Sequence, residues 1–141
     1  MPDGLVRGNR MCSIVGCYRF SGKCSPEALA ASVKAGLELL HKRGPDESSV
    51  ETVSDFCTLG GNRLIVRGEP GVGSMPFKLE GNVCYYNGEI YNFRSWDASA
   101  DSDGSVILAA YKEGGVGALA RFDAEFADLT PISVQLTIRD S

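Results

Sequence analysis

Apolar residues in the first part of the chain follow two patterns, one typical of a buried strand and one typical of an amphipathic helix. Residues 12–20 are rich in apolar side chains, which predicts a buried β-strand that ends before Gly22. Farther on, apolar side chains recur every three or four positions, at Leu29, Val33, Leu37 and Leu40. This spacing places them on one face of a helix, and we expect that face to pack on the core.

The residues around this helical pattern mark where the helix begins and ends. Ser25 supplies a hydroxyl for the amino-terminal cap, Pro26 suits the first helical position, and Glu27 complements the positive end of the helix dipole. Pro45 cannot continue a helix, so we expect the helix to end near His41. The capping signals and the apolar spacing thus predict the same helix.

Shorter apolar runs in the rest of the chain predict further strands and a second helix. The predicted strands cover residues 54–59, 63–66, 82–86, 122–129 and 133–139. The second helix is predicted over residues 105–112, ended by Gly114 and Gly115. Apolar and polar residues alternate in the last two strands, which indicates one packed face and one face toward solvent or a partner.

Composition narrows the classes of function. A chain of 141 residues is long enough to bury one core, and its 14 basic and 18 acidic residues form no basic stripe that would favour nucleic acid. The five cysteines are odd in number and form no CxxC pair, and with one histidine they are not typical of zinc binding. We expect free thiols in a cytoplasmic protein, with no segment of the roughly 18 apolar residues that span a membrane.

Five short motifs follow one another in order along the chain. They are MCSIVG at residues 11–16, HKRGPDE at 41–47, GGNRLIV at 60–66, YYNGEIYNF at 85–93 and DSDGSVILAAY at 101–111. One such motif alone has an ordinary explanation, because Arg-Gly-Pro-Asp also suits a tight loop after a helix. Together they make residues 11–140 resemble the class II glutamine amidotransferase domain of the amino-terminal nucleophile (Ntn) hydrolases, most closely that of glutamine-dependent asparagine synthetases.

The resemblance implies a fold, a domain organisation and an activity. The fold is α+β, an αββα sandwich of two antiparallel sheets flanked by helices, here shortened at the carboxyl end. Residues 1–10 are expected to be an unstructured lead or propeptide, and residues 11–141 the amidotransferase type 2 domain. The implied activity is hydrolysis of L-glutamine to glutamate and ammonia without metal or cofactor. A synthetase or another acceptor-activating partner in trans would use the ammonia, and the oligomeric state stays open.

The resemblance also implies the catalytic residues. Cys12 matches the nucleophile, whose own α-amino group, with a reference pKa near 8, manages the protons. Asn87 and Gly88 match the oxyanion hole, one through a side-chain amide and the other through a backbone N–H. Each residue has an ordinary alternative, since Cys12 could be a small buried thiol and Asn87-Gly88 a hairpin turn.

Five further positions match the substrate-binding part of the family's site. Arg63 matches the arginine that forks onto the α-carboxylate of glutamine, a role suited to a planar guanidinium. Glu89 and Asp103 match the acids that receive the α-ammonium group. Leu64 and Val66 complete the implied substrate-binding set. The neighbouring tyrosines 85, 86 and 91 are assigned to packing.

Three departures from the family pattern favour a different interpretation. Ten residues precede Met11, so the amino group of Cys12 lies in a peptide bond unless translation starts at Met11 or a propeptide is removed. Ser13 replaces a glycine beside the nucleophile, where a side chain would crowd the thiol or the substrate. Ser105 stands in place of a glutamate. The alternative function is a catalytically degenerate amidotransferase-like binding module, or a truncated fragment of an asparagine synthetase-like protein.

Overall fold

The computed structural model describes residues 12–65 and 69–126, and the fold is given for these residues. Its strands are β1 (Ser13–Tyr18), β2 (Glu47–Ser54), β3 (Cys57–Arg63), β4 (Phe77–Leu79), β5 (Asn82–Cys84), β6 (Gly88–Ile90) and β7 (Ala124–Phe126). Its α-helices are α1 (Pro26–Leu40), α2 (Phe93–Trp96) and α3 (Ile107–Leu119), and a 3-10 helix at Asp103–Val106 leads into α3. This mixture of helices and antiparallel strands confirms the predicted α+β class.

The largest sheet has three antiparallel strands in the order β1-β3-β2. Its register places Ser13 of β1 opposite Asn62 of β3, and Glu47 of β2 opposite Arg63 of β3. Two smaller antiparallel pairs, β4 with β5 and β6 with β7, complete the described strands. The beginning of β1 and the end of β3 therefore meet at the same end of the sheet, which is where several of the motif residues lie.

Helix α1 covers one face of the three-stranded sheet, as its apolar spacing predicted. Its cap is the predicted one, because the Ser25 hydroxyl accepts a hydrogen bond from the Ala28 N–H at 3.2 Å. The buried side chains are Leu29, Val33 and Leu37. A Cβ on Gly60 of β3 would lie 2.6 Å from the Val33 side chain, so the helix packs this closely only because Gly60 has no side chain.

A second apolar layer covers the opposite face of the sheet. The Tyr85 cluster (Leu59, Met75, Val83 and Tyr85) fills the space there. A Cβ on Gly61 would lie 2.8 Å from the Tyr85 ring, so successive glycines of β3 admit α1 on one face and Tyr85 on the other. Cys84 belongs instead to the Ile107 cluster (Cys84, Ile90, Ala100, Val106, Ile107 and Leu108), into which α3 packs.

Several predicted boundaries were wrong. The strands expected at 54–59 and 63–66 are instead β2 at Glu47–Ser54 and β3 at Cys57–Arg63, and β4 was not predicted. Strand β2 is mostly polar and β3 contains two glycines, so neither has the apolar pattern of a strand. Both form because they pair with each other, with one register shift between Thr52 and Ser54.

The second helix also differs from its prediction. Its α-helical part begins at Ile107 and not at residue 105, and Gly114 and Gly115 leave the helical conformation, Gly115 with φ of +61°. The glycines therefore end this first helical segment, as predicted, and a second helical segment that was not predicted follows to Leu119. The strand predicted over 122–129 is described only as β7, and the one at 133–139 lies outside the described residues. Within the described ranges, no helix has the length and apolar character needed to cross a membrane.

Candidate active site

Cys12 lies at the start of β1, beside the end of β3. Its Sγ accepts a hydrogen bond from the backbone N–H of Leu64 at 3.4 Å, and the residue is half-buried. The side-chain amide of Asn87 donates to the backbone carbonyl of Cys12 at 3.0 Å. Three of the predicted site residues, from three separate motifs, are thus in direct contact.

The Arg-Gly-Pro-Asp motif holds the end of β3 in place. Gly44 packs directly on the β3 backbone, where a Cβ would lie 2.8 Å from the carbonyl carbons of Asn62 and Arg63. Asp46 binds the chain twice, since its N–H donates to the carbonyl of Arg63 at 3.1 Å and its carboxylate accepts from the Ile65 N–H at 2.7 Å. The motif therefore positions the segment that contacts the Cys12 sulfur.

Arg63 is largely buried and is bound to Glu47, which the sequence analysis did not identify as a site residue. Its side chain is 13% exposed, and its Nη1 donates to Glu47 Oε2 at 3.1 Å. Its Nη2 donates to the carbonyl of Val72 at 2.6 Å. Partial burial would raise the Glu47 pKa, but hydrogen bonds from Ser74 and Gly71 and the charge of Arg63 outweigh it and lower the pKa from 4.5. Glu47 therefore stays ionised near neutral pH.

Asp103 is held by three hydrogen bonds. Its Oδ2 accepts from the Tyr86 hydroxyl at 3.0 Å and from the Ile90 N–H at 2.9 Å, and its Oδ1 accepts from the Gly104 N–H at 2.9 Å. Burial raises the Tyr86 pKa, and the charge of Asp103 and its hydrogen bond raise it further, so the phenol stays protonated and donates. Asp103 is thus fixed in orientation before any ligand binds.

The sequence predicted that Tyr86 only packs in the fold, but its side chain also makes a polar contact. The ring does pack against the Ile107 cluster. Its hydroxyl, however, donates to Asp103 at 3.0 Å, so the phenol contacts one of the predicted site residues. No motif signal separates it from Tyr85, whose ring fills the Tyr85 cluster.

Asn87 and Gly88 do not form the hairpin turn that was their ordinary alternative. Strand β5 pairs with β4, and β6, which begins at Gly88, pairs with β7, so the two strands that flank Asn87 are not paired with each other. Gly88 and Glu89 are both exposed, and Glu89 lies opposite Glu125 across the β6–β7 pair. Val66, also in the predicted substrate-binding set, lies outside the described residues.

Ser13 does not crowd the Cys12 thiol as its replacement of glycine suggested. Val15, two positions along β1 and hence on the same face, contacts Gly36 of α1. Asn62, opposite Ser13 in the register, donates from its amide to the Leu37 carbonyl of α1 at 2.8 Å. Ser13 therefore points toward α1, the opposite face from Arg63, and is 5% exposed. Among the described residues its hydroxyl has no hydrogen-bond partner.

Comparisons with known proteins agree with this arrangement. A family model described as a glutamine amidotransferase domain matches residues 11–130, which contain all five motifs. The chain is also similar to an asparagine synthetase [glutamine-hydrolyzing] of Gallus gallus, with 34% identity over 104 residues, which are 65% of this chain and 18% of that protein. The chain thus spans a small part of the length of this curated relative. Since the family match extends over most of the sequence, the chain belongs to the glutamine amidotransferase domains, the class II family that its motifs resemble.

Proposed function

We propose that this domain hydrolyses L-glutamine to L-glutamate and ammonia, with Cys12 as the nucleophile. The observation that carries the proposal is the hydrogen bond between Asn87 and Cys12, which lie 75 positions apart in the sequence. It holds the residue that carries the thiol next to an amide donor, and acyl transfer at a side-chain amide requires both groups. The family membership and the similarity to a glutamine-hydrolyzing enzyme support the same reaction.

In the proposed reaction, the α-amino group of Cys12 moves the protons. It takes the thiol proton while the sulfur attacks the side-chain carbonyl carbon of glutamine, and it returns that proton to the nitrogen as the C–N bond breaks. Ammonia leaves and the glutamyl group remains as a thioester. Water then attacks the thioester, so that hydroxide joins the acyl carbon and a proton returns to sulfur. An amino group with a reference pKa near 8 suits this role.

Asn87 and Gly88 would stabilise the tetrahedral oxyanion. The Asn87 amide has two N–H donors, and one of them is bound to the Cys12 carbonyl, which orients the other. The Gly88 N–H would supply the second hydrogen bond. Removal of one oxyanion donor typically costs about 3 kcal/mol of transition-state stabilisation.

The substrate's amino-acid end would bind between Arg63 and two acids. In this proposal the guanidinium of Arg63 pairs with the α-carboxylate, and Glu89 and Asp103 receive the α-ammonium group. Leu64 and Val66 would border the substrate. The three hydrogen bonds that orient Asp103 support its role, because a preoriented carboxylate loses little freedom on binding.

The proposal extends to the fold and to the context of the reaction. The layering of α1, the three-stranded sheet, the β4–β5 pair and α3 supports an αββα sandwich. Residues 1–10 would be a lead or propeptide that is removed with Met11, because an amide nitrogen at Cys12 cannot act as a base. In the cytoplasm, a synthetase partner in trans would consume the ammonia.

Glutamine hydrolysis by a chain that begins at Cys12 tests the proposal. Expression from Met11, with the initiator removed, gives this chain, and mass spectrometry verifies the new terminus. We expect release of glutamate from L-glutamine, and none from the Cys12→Ala variant. Binding of L-glutamine without turnover would contradict the proposal and support the degenerate binding module.

A further inference from the structure

Glu47, at the start of the edge strand β2, has three hydrogen-bond partners. Its Oε2 accepts from Arg63 Nη1 at 3.1 Å and from the Ser74 hydroxyl at 2.8 Å, and its Oε1 accepts from the Gly71 N–H at 3.0 Å. Its side chain is 26% exposed. The carboxylate therefore joins β3, through Arg63, to the loop of residues 69–76.

The same loop also binds Arg63 directly. The carbonyl of Val72 accepts from Nη2 at 2.6 Å, while Nη1 is held by Glu47. A guanidinium held at both terminal nitrogens has a fixed plane and a fixed rotamer. Nη1 also donates to the Ser74 hydroxyl at 3.5 Å, and since a guanidinium has five N–H donors, these three contacts still leave donors for a ligand carboxylate.

The 69–76 loop also lies close to the residue before Asp103, the acid at the other end of the proposed substrate site. Gly73 has φ of +70°, and a Cβ there would lie 2.8 Å from the Ser102 side chain and 3.4 Å from Arg63 Nη2. Gly73 thus fits between Arg63 and Ser102, the residue before Asp103. By anchoring this loop at Gly71 and Ser74, Glu47 fixes the spacing between the proposed carboxylate and ammonium sites.

We infer that Glu47 is the positioning residue for Arg63 and thereby selects substrates with a free α-carboxylate. The inference rests on the proposed function, because it assigns Arg63 to the substrate carboxylate. Glu47 itself does not touch the substrate. It orients the guanidinium and the 69–76 loop, so that little side-chain freedom remains to be lost on binding.

Kinetics with two substrates test the inference. L-glutamine has a free α-carboxylate, whereas in its α-carboxamide that group is replaced by a neutral amide that does not pair with Arg63. For Glu47→Gln we expect KM for L-glutamine to rise about tenfold, the effect of leaving one long side chain unpositioned, while kcat stays nearly constant. KM for the α-carboxamide should not change. Glu47→Asp keeps the charge and should restore part of the affinity.

Glu51→Gln is the matched control. Glu51 lies on the same strand and binds Lys78 at 2.8 Å in a more exposed ion pair, so this variant should leave both KM values unchanged. If Glu47→Gln folds poorly in thermal unfolding, Ser74→Ala replaces it and should raise KM for L-glutamine selectively, by a smaller factor.

Three outcomes would overturn the inference. An equal rise in KM for both substrates would mean that Glu47 only stabilises the fold. A fall in KM for L-glutamine would mean that Glu47 competes with the substrate carboxylate for Arg63. Calorimetric titration of L-glutamine into Cys12→Ala, with and without Glu47→Gln, measures the same difference without turnover. If the wild-type chain neither binds nor hydrolyses L-glutamine, the proposed function fails; if only the Glu47 effect is missing, the inference alone fails.

Discussion

The Asn87 side-chain amide donates a hydrogen bond to the Cys12 backbone carbonyl across 3.0 Å. This bond fixes the residue that carries the proposed nucleophile relative to the donor that would stabilise the oxyanion. Because Cys12 also accepts from the Leu64 N–H, it is held from two different motifs. The geometry of the candidate site therefore depends on contacts between residues that are distant in sequence.

Replacing Asn87 with alanine should reduce turnover far more than binding. The variant loses an oxyanion donor, so we expect kcat for glutamine hydrolysis to fall by a factor of about 100, with a much smaller change in KM. The matched control is Asn92→Ala, which removes an exposed amide that binds the Arg121 carbonyl at 3.2 Å. Equal losses of kcat in the two variants would argue against an oxyanion role for Asn87.

Tyr86→Phe should weaken glutamine binding, because it removes one of the three hydrogen bonds that orient Asp103. A hydrogen bond to a charged acceptor contributes about 2 kcal/mol, so we also expect lower stability toward urea. Tyr85→Phe is the control, since the Tyr85 hydroxyl is hydrogen-bonded to the Ser49 hydroxyl at 3.2 Å and its ring packs in the Tyr85 cluster. That variant should lose stability but keep its KM, and the account fails if KM rises equally in both.

Removing the Ser13 hydroxyl should stabilise the fold. The buried hydroxyl has no partner among the described residues, so Ser13→Ala relieves an unpaired polar group and should raise the free energy of unfolding by about 1 kcal/mol. Glutamine hydrolysis should not change, because the side chain points toward α1. In contrast, Ser49→Ala should lose about 1 kcal/mol, since the Ser49 hydroxyl donates to the Met75 carbonyl at 2.7 Å. Urea unfolding curves that show Ser13→Ala to be the less stable variant would contradict this placement.

Gly61→Ala should destabilise the domain by about 1 to 3 kcal/mol through overpacking. The added Cβ would meet the Tyr85 ring at 2.8 Å and Met75 Cε at 3.1 Å, inside the core. Gly22→Ala is the comparison, because a Cβ there meets no atom within 4 Å. That variant should unfold within about 1 kcal/mol of the wild type.

The Glu47 network should make stability depend on pH in the acid range. The folded-state pKa of Glu47 is lowered from 4.5, so its contribution is fully present above that value and is lost as pH falls through the folded pKa. The free energy of unfolding of Glu47→Gln should therefore lie below that of the wild type at neutral pH and approach it in acid. If the difference in free energy of unfolding between the two proteins stays constant as the pH falls, the ionised state assigned to Glu47 is contradicted.

The sequence predicted best where several local signals agree. The cap Ser25, the proline after it and the spacing of Leu29, Val33 and Leu37 all indicate one helix, and α1 has those bounds. The sequence did not predict the bounds of β3, because Gly60 and Gly61 interrupt the apolar pattern of a strand. The close packing of α1 and Tyr85 on β3 requires these two glycines. This strand forms because of its tertiary contacts and not because of the local preference of its residues.

For the candidate site, Cys12 contacts both Leu64 and Asn87, which come from separate motifs, while the roles that the resemblance implies for them stay predictions. Glu47 and Tyr86 were not predicted as site residues, because their roles arise from pairing. Glu47 faces Arg63 only through the β2–β3 register, and the Tyr86 hydroxyl reaches Asp103 only after the chain has turned back. Neither contact can be predicted from the spacing of residues within a motif.

Hydroxylamine capture of the acyl group tests the central claim most directly. Hydroxylamine competes with water for a thioester, so the chain that begins at Cys12 should convert L-glutamine to γ-glutamyl hydroxamate while less free glutamate forms. The Cys12→Ala variant and the chain that retains residues 1–11 should form none. Hydroxamate formation that continues without the Cys12 thiol, or glutamate release that hydroxylamine never intercepts, would contradict a covalent glutamyl intermediate on Cys12.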